Sequence, residues 1–175
     1  MVRILIVEDM PALREHAREV LTAKFGDDLS LEEAANGLEG LRIARTTNPD
    51  LIIMDISMPE LNGIKAAEEI WAHNDRARIL FWSQYQRETY VRSLGKIVPD
   101  EAIHGYLLKG ESDGKLGEAA FSILINGDPY IDPVVKGIQK RLKSKDQSLS
   151  DTEYEALMDV AVGLTDRAIA LRRHI

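Results

Sequence analysis

The chain has 175 residues, a formal net charge of -7 and 45% hydrophobic residues, enough for one full core and a small second unit. It contains no cysteine, which excludes disulfides and thiolate metal sites, so any metal must be held by oxygen or histidine ligands. The negative charge disfavours non-specific binding to nucleic acid, so any DNA contact must be local.

The first predicted element is a strand from Ile4 to Val7, which Glu8 and Asp9 follow directly. This apolar run is too short for a signal peptide, and no later stretch is long enough to span a membrane. We therefore expect a cytoplasmic protein without a membrane partner.

Further short apolar runs alternate with amphipathic stretches along the first two-thirds of the chain. The predicted strands are Leu29 to Ala34, Leu51 to Met54, Ile79 to Trp82 and Tyr106 to Leu108. Helical spacing appears between them, for example at Leu13, Ala17, Val20 and Leu21. This alternation predicts an α/β fold with a doubly wound, five-stranded parallel sheet covered by helices on both faces.

The composition changes after Gly127. Residues 128–148 contain two Asp-Pro pairs and a basic run, and predict a linker with a short helix. Residues 149–175 predict two further helices, one beginning near Ser150 and ending at Gly163, the other capped by Thr165. The predicted domains are therefore residues 1–127, a linker at 128–148, and a small all-α unit at 149–175.

Acidic residues follow two of the predicted strands. In an open parallel sheet with the flavodoxin-like strand order, ligands bind beyond the carboxyl ends of strands one and three. Glu8 and Asp9 follow the first strand and Asp55 follows the third, so three carboxylates should share one crevice. Like charges so close require a cation, and oxygen-only ligands suit Mg²⁺, or Mn²⁺ in its place.

Two more polar groups reach the same edge of the predicted sheet. Ser83 follows the fourth strand and Lys109 follows the fifth. Asp55 could act as a nucleophile toward phosphorus, with Mg²⁺ and the Lys109 ammonium stabilising the transferred group. Together these residues predict a phosphoryl-accepting site.

Each residue also has a plainer interpretation. Asp9 could cap a helix that starts near Pro11, and Ser83 could cap the helix after the fourth strand. Asp55 could simply enter a turn, and a lone lysine such as Lys109 is usually solvated. Their joint placement at corresponding strand ends favours the functional interpretation.

Three motifs resemble the receiver family of two-component response regulators. They are Val7 to Asp9, Asp55 to Gly63, and Gly105 to Lys109. The resemblance covers Met1 to about Gly127 and implies a CheY-like fold. It also implies a signalling domain with at most slow self-dephosphorylation, not an enzyme.

The resemblance implies a role for each matching residue. Glu8, Asp9 and Asp55 would bind Mg²⁺ together with the backbone carbonyl of Ser57. Asp55 would accept a phosphoryl group from a histidine kinase or a phosphotransfer protein, and Lys109 would pair with the phosphate.

A switch is implied as well. Ser83 would move to hydrogen-bond the phosphate, and Tyr106 would turn inward as Ser83 leaves its rest position. Receivers of this class commonly pair through helices one and five, so phosphorylation is expected to promote a homodimer.

The chain departs from the receiver pattern in four places. Gly110 stands where many receivers have proline, and the segment between Ser83 and Lys109 is a few residues longer than usual, so helix four is expected to be reshaped or followed by a longer loop. Gln84, followed by Tyr85, replaces a small residue and should narrow the approach to the acceptor, which could slow dephosphorylation. The fourth strand is unusually aromatic, and its Phe81-Trp82 pair is expected to pack against Trp71, with a partner surface as the lesser alternative.

The C-terminal stretch resembles the start of the helix-turn-helix domain of NarL/LuxR-type regulators. The similarity lies in Leu149 to Leu157 and in Gly163 to Ala170. In that family the next helix enters the major groove, and the sequence stops before it. DNA binding is therefore expected only in a full-length form that carries the recognition helix.

The prediction is thus a response regulator whose phosphorylation controls transcription. A phosphatase resembling haloacid dehalogenases would carry an acid two residues after its nucleophile, where this chain has Ser57. A flavin-binding module would need a phosphate loop after the first strand, where Glu8 and Asp9 stand. A receiver-like interaction domain that works without phosphorylation remains the alternative.

Overall fold

The computed structural model describes residues 1–84, 87–110 and 114–144, and these form a parallel α/β sheet with helices on both faces. The strands are β1 (Val2–Val7), β2 (Leu29–Ala34), β3 (Leu51–Met54), β4 (Ile79–Ser83), β5 (His104–Leu108) and β6 (Tyr130–Ile131). The helices are α1 (Pro11–Phe25), α2 (Gly37–Thr47), α3 (Gly63–His73), α4 (Glu88–Ile97), α5 (Lys115–Phe121) and α6 (Pro133–Ser144). Within the described residues, every helix is too short or too polar to cross a membrane.

The strand order is β2-β1-β3-β4-β5-β6, and all neighbours are parallel. The order reverses between β1 and β3, as the flavodoxin-like fold requires. The five predicted strands are confirmed within two residues at each end. The doubly wound parallel fold is therefore confirmed.

The predicted number of strands was wrong by one. Tyr130 and Ile131 form a short sixth strand that pairs with Gly105 and Tyr106 of β5. The backbone N–H of Asp132 continues this contact by donating to the carbonyl of Tyr106 at 2.8 Å. Two residues are too few to show the period of a strand in a sequence, which is why this edge was missed.

The sheet separates two apolar clusters. On one side, alternate residues of the strands pack against α2, α3, α4 and α6; on the other side, the remaining strand residues pack against α1 and α5. Leu5 and Val7 face the first cluster, whereas Ile4 and Ile6 face the second. This alternation explains the continuous apolar runs, because both faces of each central strand are buried.

Asparagine side chains cap the first turns of two helices. Asn36 Oδ1 accepts from the backbone N–H of Glu39 at 2.8 Å, and Asn62 Oδ1 accepts from that of Lys65 at 3.0 Å. Each bond satisfies one of the free N–H groups of a first turn. The Asn-Gly pairs therefore mark helix starts at α2 and α3.

The segment assigned to a linker with a short helix contains that helix, and the helix packs on the folded body. Val135 and Ile138 of α6 are 0% and 3% exposed and belong to the same cluster as Tyr90 and Leu94 of α4. The boundary at Gly127 stays a prediction. The helix-turn-helix stretch 149–175 lies outside the described residues, as does Tyr85.

The aromatic pair of β4 points to opposite faces of the sheet. Phe81 packs edge-on against Trp71 of α3, with ring centroids 6.1 Å apart, as predicted. Trp82 lies on the other face and stacks on His16 of α1. The expected packing of this pair on Trp71 is therefore right for Phe81 and wrong for Trp82, because neighbouring residues of a strand face opposite sides.

The long segment after β4 contains the ten-residue helix α4 and a loop at 98–103 before β5. A turn closes this loop, with the N–H of Ala102 donating to the carbonyl of Pro99 at 3.0 Å. A loop therefore follows α4, and its greater length than in other receivers stays a prediction.

Candidate functional site

The predicted site residues gather at the carboxyl ends of four neighbouring strands. Glu8 and Asp55 come directly after β1 and β3, and the sheet continues to hold them, since the N–H of Asp55 donates to the carbonyl of Val7 at 2.9 Å. Ser83 ends β4, and its carbonyl accepts from the N–H of Lys109 at 2.9 Å. Strand pairing thus fixes the backbone positions from which these side chains extend.

The ammonium of Lys109 joins the two buried carboxylates. Its Nζ donates to Glu8 Oε2 at 2.5 Å and to Asp55 Oδ1 at 2.9 Å. The side chains of Lys109, Glu8 and Asp55 are 5%, 1% and 6% exposed. The plainer interpretation of Lys109 as a solvated strand-end lysine is therefore wrong, since a lysine with so little exposure normally needs such partners.

Burial disfavours the charged form of Glu8. It raises the pKa of the Glu8 carboxyl, while the ion pair and hydrogen bond from Lys109 oppose that rise and the neighbouring Asp55 charge adds to it. Glu8 Oε1 also accepts from the N–H of Met10 at 3.2 Å. A second positive charge at this place would relieve the repulsion between the two carboxylates.

Asp9 completes an acidic cluster with Glu8 and Asp55. One carboxylate oxygen from each of the three residues lies within 4.8 Å of the others. Asp9 does not take the capping role that its position before Pro11 suggested, because Met10 holds the N-cap position of α1 and makes no side-chain capping bond. Three convergent oxygen donors fit a hard divalent cation such as Mg²⁺.

The loop after Asp55 is tightly built. The N–H of Ser57 donates to Asp55 Oδ2 at 3.1 Å, and the N–H of Gly63 donates to the carbonyl of Ile56 at 2.9 Å. A Cβ at Gly63 would lie 1.9 Å from the carbonyl oxygen of Asp55, so only glycine fits there. The loop thereby holds the Asp55 carboxylate toward the acidic cluster, and the Ser57 carbonyl stays a predicted ligand.

Ser83 and Tyr106 form a buried pair on the face opposite Trp82. Tyr106 is 1% exposed and packs near Phe81, with ring centroids 6.3 Å apart. Burial raises the pKa of the Tyr106 phenol, and a side-chain hydrogen bond with Ser83 acts in the opposite direction.

Tyr106 lies inside in this conformation, and its role in the switch stays a prediction. One plainer interpretation of this pair is corrected. Ser83 does not cap α4, since Arg87 holds that helix's N-cap position.

Two residues that the sequence analysis did not assign to the site support it. The guanidinium of Arg14 donates to the carbonyl of Glu8 at 2.7 Å and to Glu33 Oε2 at 3.1 Å, which ties α1 to the end of β1. The ring of Trp82 lies beneath the ammonium of Lys109, with 5.1 Å between Nζ and the ring centroid. Strand alternation could have revealed Trp82, because it shares a face with Lys109 and not with Ser83.

The backbone conformation at position 110 explains why glycine stands where many receivers have proline. The φ of 97° at Gly110 lies in a region that favours glycine and that proline cannot adopt. The backbone therefore leaves Lys109 in a direction that a Lys-Pro pair would not allow.

Residues 4–121 match the response regulator receiver domain family. The chain belongs to this family. The match covers β1 to α5 and includes every predicted site residue. A receiver domain is a phosphorylation-controlled signalling domain of two-component systems, and the chain is therefore a regulator of that kind.

Curated relatives and solved structures agree with this assignment. The chain is 27% identical to the nitrate/nitrite response regulator protein NarL of Escherichia coli, over 98% of this chain and 81% of that protein. It is 29% identical to the transcriptional regulatory protein YdfI of Bacillus subtilis, over 96% of this chain and 79% of that protein. Its fold resembles that of a LuxR-family two-component response regulator from Aurantimonas, with 26% identity, a TM-score of 0.70, and coverage of 83% and 99% of the two chains.

Proposed function

We propose that Asp55 is the phosphoacceptor of this response regulator. The observation that carries the proposal is the contact between the Asp55 carboxylate and the Lys109 ammonium, at 2.9 Å, beside the Glu8 and Asp9 carboxylates. Asp55 takes part in both the ion pair and the acidic cluster, and it lies at the strand end where the fold places ligands. The phosphoryl donor is a histidine kinase or a phosphotransfer protein.

Mg²⁺ is the proposed cofactor, held by Glu8, Asp9 and Asp55 with the backbone carbonyl of Ser57. When bound, it neutralises charge on the phosphoryl oxygens during transfer. Asp55 supplies the attacking oxygen, and the Lys109 ammonium pairs with another oxygen of the same phosphoryl group. The donor's phosphorus–nitrogen bond breaks as the phosphorus–oxygen bond to Asp55 forms.

Ser83 and Tyr106 are the proposed switch. Phosphate on Asp55 offers a charged acceptor to the Ser83 hydroxyl, which then competes with the hydrogen bond to Tyr106. Because Tyr106 pairs with Ile131 of β6, a change at its side chain reaches the edge of the sheet that leads into α6. Dephosphorylation is slow, since the exposed Gln84 replaces a small residue beside Ser83.

The output is proposed to be transcription control. Support comes from the relatives named for transcriptional regulation and from the NarL/LuxR-like motif in residues 149–175. Regulators with this motif bind DNA through a recognition helix, and phosphorylation of this protein is proposed to favour a homodimer through α1 and α5.

Intact-mass spectrometry after incubation with acetyl phosphate tests the proposal. We expect one phosphoryl adduct in the parent protein, lost when Mg²⁺ is removed by a chelator and lost in Asp55→Asn. Asp50→Asn serves as the matched control, because Asp50 precedes β3 at the opposite end of the sheet and should keep the adduct. A folded parent without an adduct would favour the interaction domain that works without phosphorylation.

A further inference from the structure

Trp82 and Lys109 lie on the same face of the sheet. In the register of β4 and β5, Trp82 pairs with Leu107, and Lys109 comes two residues later on the same side of its strand. The Lys109 Nζ therefore extends over the indole, 5.1 Å from the ring centroid. An ammonium at this distance is attracted by the ring's negative face.

The indole is held in place from its own side of the sheet. Trp82 is 3% exposed, and its ring stacks on His16 of α1 with 6.4 Å between centroids and 29° between planes. It packs within the cluster that contains Ala17 and Leu21 of the same helix. The ring is therefore a fixed surface beneath the ammonium and not a mobile side chain.

The ring differs from the other partners of Lys109 in one respect. Glu8 and Asp55 hold the ammonium now, at 2.5 and 2.9 Å, but both are proposed ligands of Mg²⁺. A cation bound to these carboxylates weakens their attraction for Lys109 and repels its charge. The Trp82 ring does not bind Mg²⁺, so it keeps attracting the ammonium when the carboxylates turn to the metal.

We propose that Trp82 is a positioning residue for phosphoryl transfer. Its ring holds the Lys109 ammonium beside Asp55 in the metal-bound state, ready to pair with the incoming phosphoryl group. The assignment rests on the proposed function of Asp55. The alternative is that the Trp82 side chain only fills the core between β4 and α1.

Labelling rates at increasing acetyl phosphate concentrations, with saturating Mg²⁺, separate these two roles. In Trp82→Leu we expect the maximal rate to fall about five- to thirtyfold, as the loss of one buried cation–π contact implies. Trp82→Phe keeps an aromatic face and should lose less than about threefold. The Mg²⁺ affinity and the donor concentration at half-maximal rate should stay within about twofold, since Trp82 contacts neither ligand.

Trp71→Phe is the matched control. Trp71 is equally buried but lies on the other face of the sheet, where its Nε1 donates to the carbonyl of Ala77 at 2.9 Å. We expect the parental labelling rate in this variant. In a Lys109→Met background, Trp82→Leu should cause no further loss, because the ring then has no ammonium to hold.

A parental maximal rate in Trp82→Leu would overturn the assignment, and so would an equal loss in the Lys109→Met background. If Trp82→Leu does not fold, the ε-methylene protons of Lys109 decide by NMR in the Mg²⁺-bound parent. We expect them to be shifted upfield by the indole ring, and a position like that of a free lysine would contradict the proposal. Absence of labelling in the parent would refute the proposed function itself, whereas labelling that is indifferent to Trp82 refutes only this inference.

Discussion

The Lys109 ammonium lies 2.9 Å from the Asp55 carboxylate, and both side chains are almost completely buried. The same ammonium contacts Glu8 at 2.5 Å. Two buried carboxylates thus share the positive charge of Lys109. We expect a bound divalent cation to reduce the remaining repulsion between them.

Lys109→Met tests whether the two buried carboxylates depend on the shared ammonium. The substitution leaves Glu8 and Asp55 buried without their ammonium, and breaking a buried ion pair typically costs about 3–5 kcal/mol. We expect the metal-free variant to lose on the order of 3 kcal/mol in urea unfolding. Mg²⁺ should raise the stability of the variant more than that of the parent, since it replaces the missing charge; an equal effect on both would contradict the shared-cation account.

Asp9→Ala should weaken Mg²⁺ binding while leaving the fold intact. Asp9 is half-buried and supplies one of the three oxygens that lie within 4.8 Å of each other. Tryptophan fluorescence titrated with MgCl₂ measures the change, which we expect to be at least about tenfold in affinity. Asp27→Ala, an exposed acid at the far end of α1, is the control; unchanged affinity in Asp9→Ala would remove Asp9 from the metal site.

Ionisation of the buried Glu8 carboxyl should make the stability of the metal-free protein depend on pH. Burial raises the pKa of Glu8 above its ordinary value of 4.5, so the metal-free folded state loses stability as pH rises through that raised pKa. Glu8→Gln cannot ionise, so its free energy of unfolding should lack this loss. Urea unfolding at stepped pH, with chelator present, measures the free energy of unfolding of both proteins. The stability of the variant should increase relative to that of the parent as pH rises. Parallel dependences on pH would show that burial does not raise the pKa of Glu8.

The packing of α6 predicts that residues 130–144 stabilise the receiver. Ile138 is 3% exposed in the cluster that also contains Tyr90, so Ile138→Ala should lower the free energy of unfolding by about 2–4 kcal/mol. Val134→Ala, on the exposed side of the same helix, should change it by less than about 0.5 kcal/mol. Thermal unfolding of both variants measures the difference, and similar small losses would mean that α6 is only a linker.

Much of the fold could be predicted because both faces of the central strands are buried. Such strands appear as short apolar runs, and the acids and the lysine that follow them mark the edge where the site forms. The carboxylate cluster and the strand-end position of Lys109 were therefore available from spacing alone.

Other features depend on tertiary contacts that no local pattern contains. The sixth strand has only two residues, and its existence depends on pairing with Tyr106. The buried position of Tyr106 follows from packing near Phe81, and the place of Trp82 beneath Lys109 follows from the register of β4 with β5. Sequence patterns fix the period of an element but not its register against a neighbour.

The most direct test of the central claim locates the phosphoryl group itself. Acetyl phosphate is added with Mg²⁺, the acyl phosphate is reduced with borohydride, and peptides are analysed by mass spectrometry; reduction converts a phosphorylated aspartate to homoserine. We expect homoserine at position 55 and unreduced side chains at Glu8 and Asp9. Reduction at Glu8 or Asp9, with Asp55 unchanged, would contradict it.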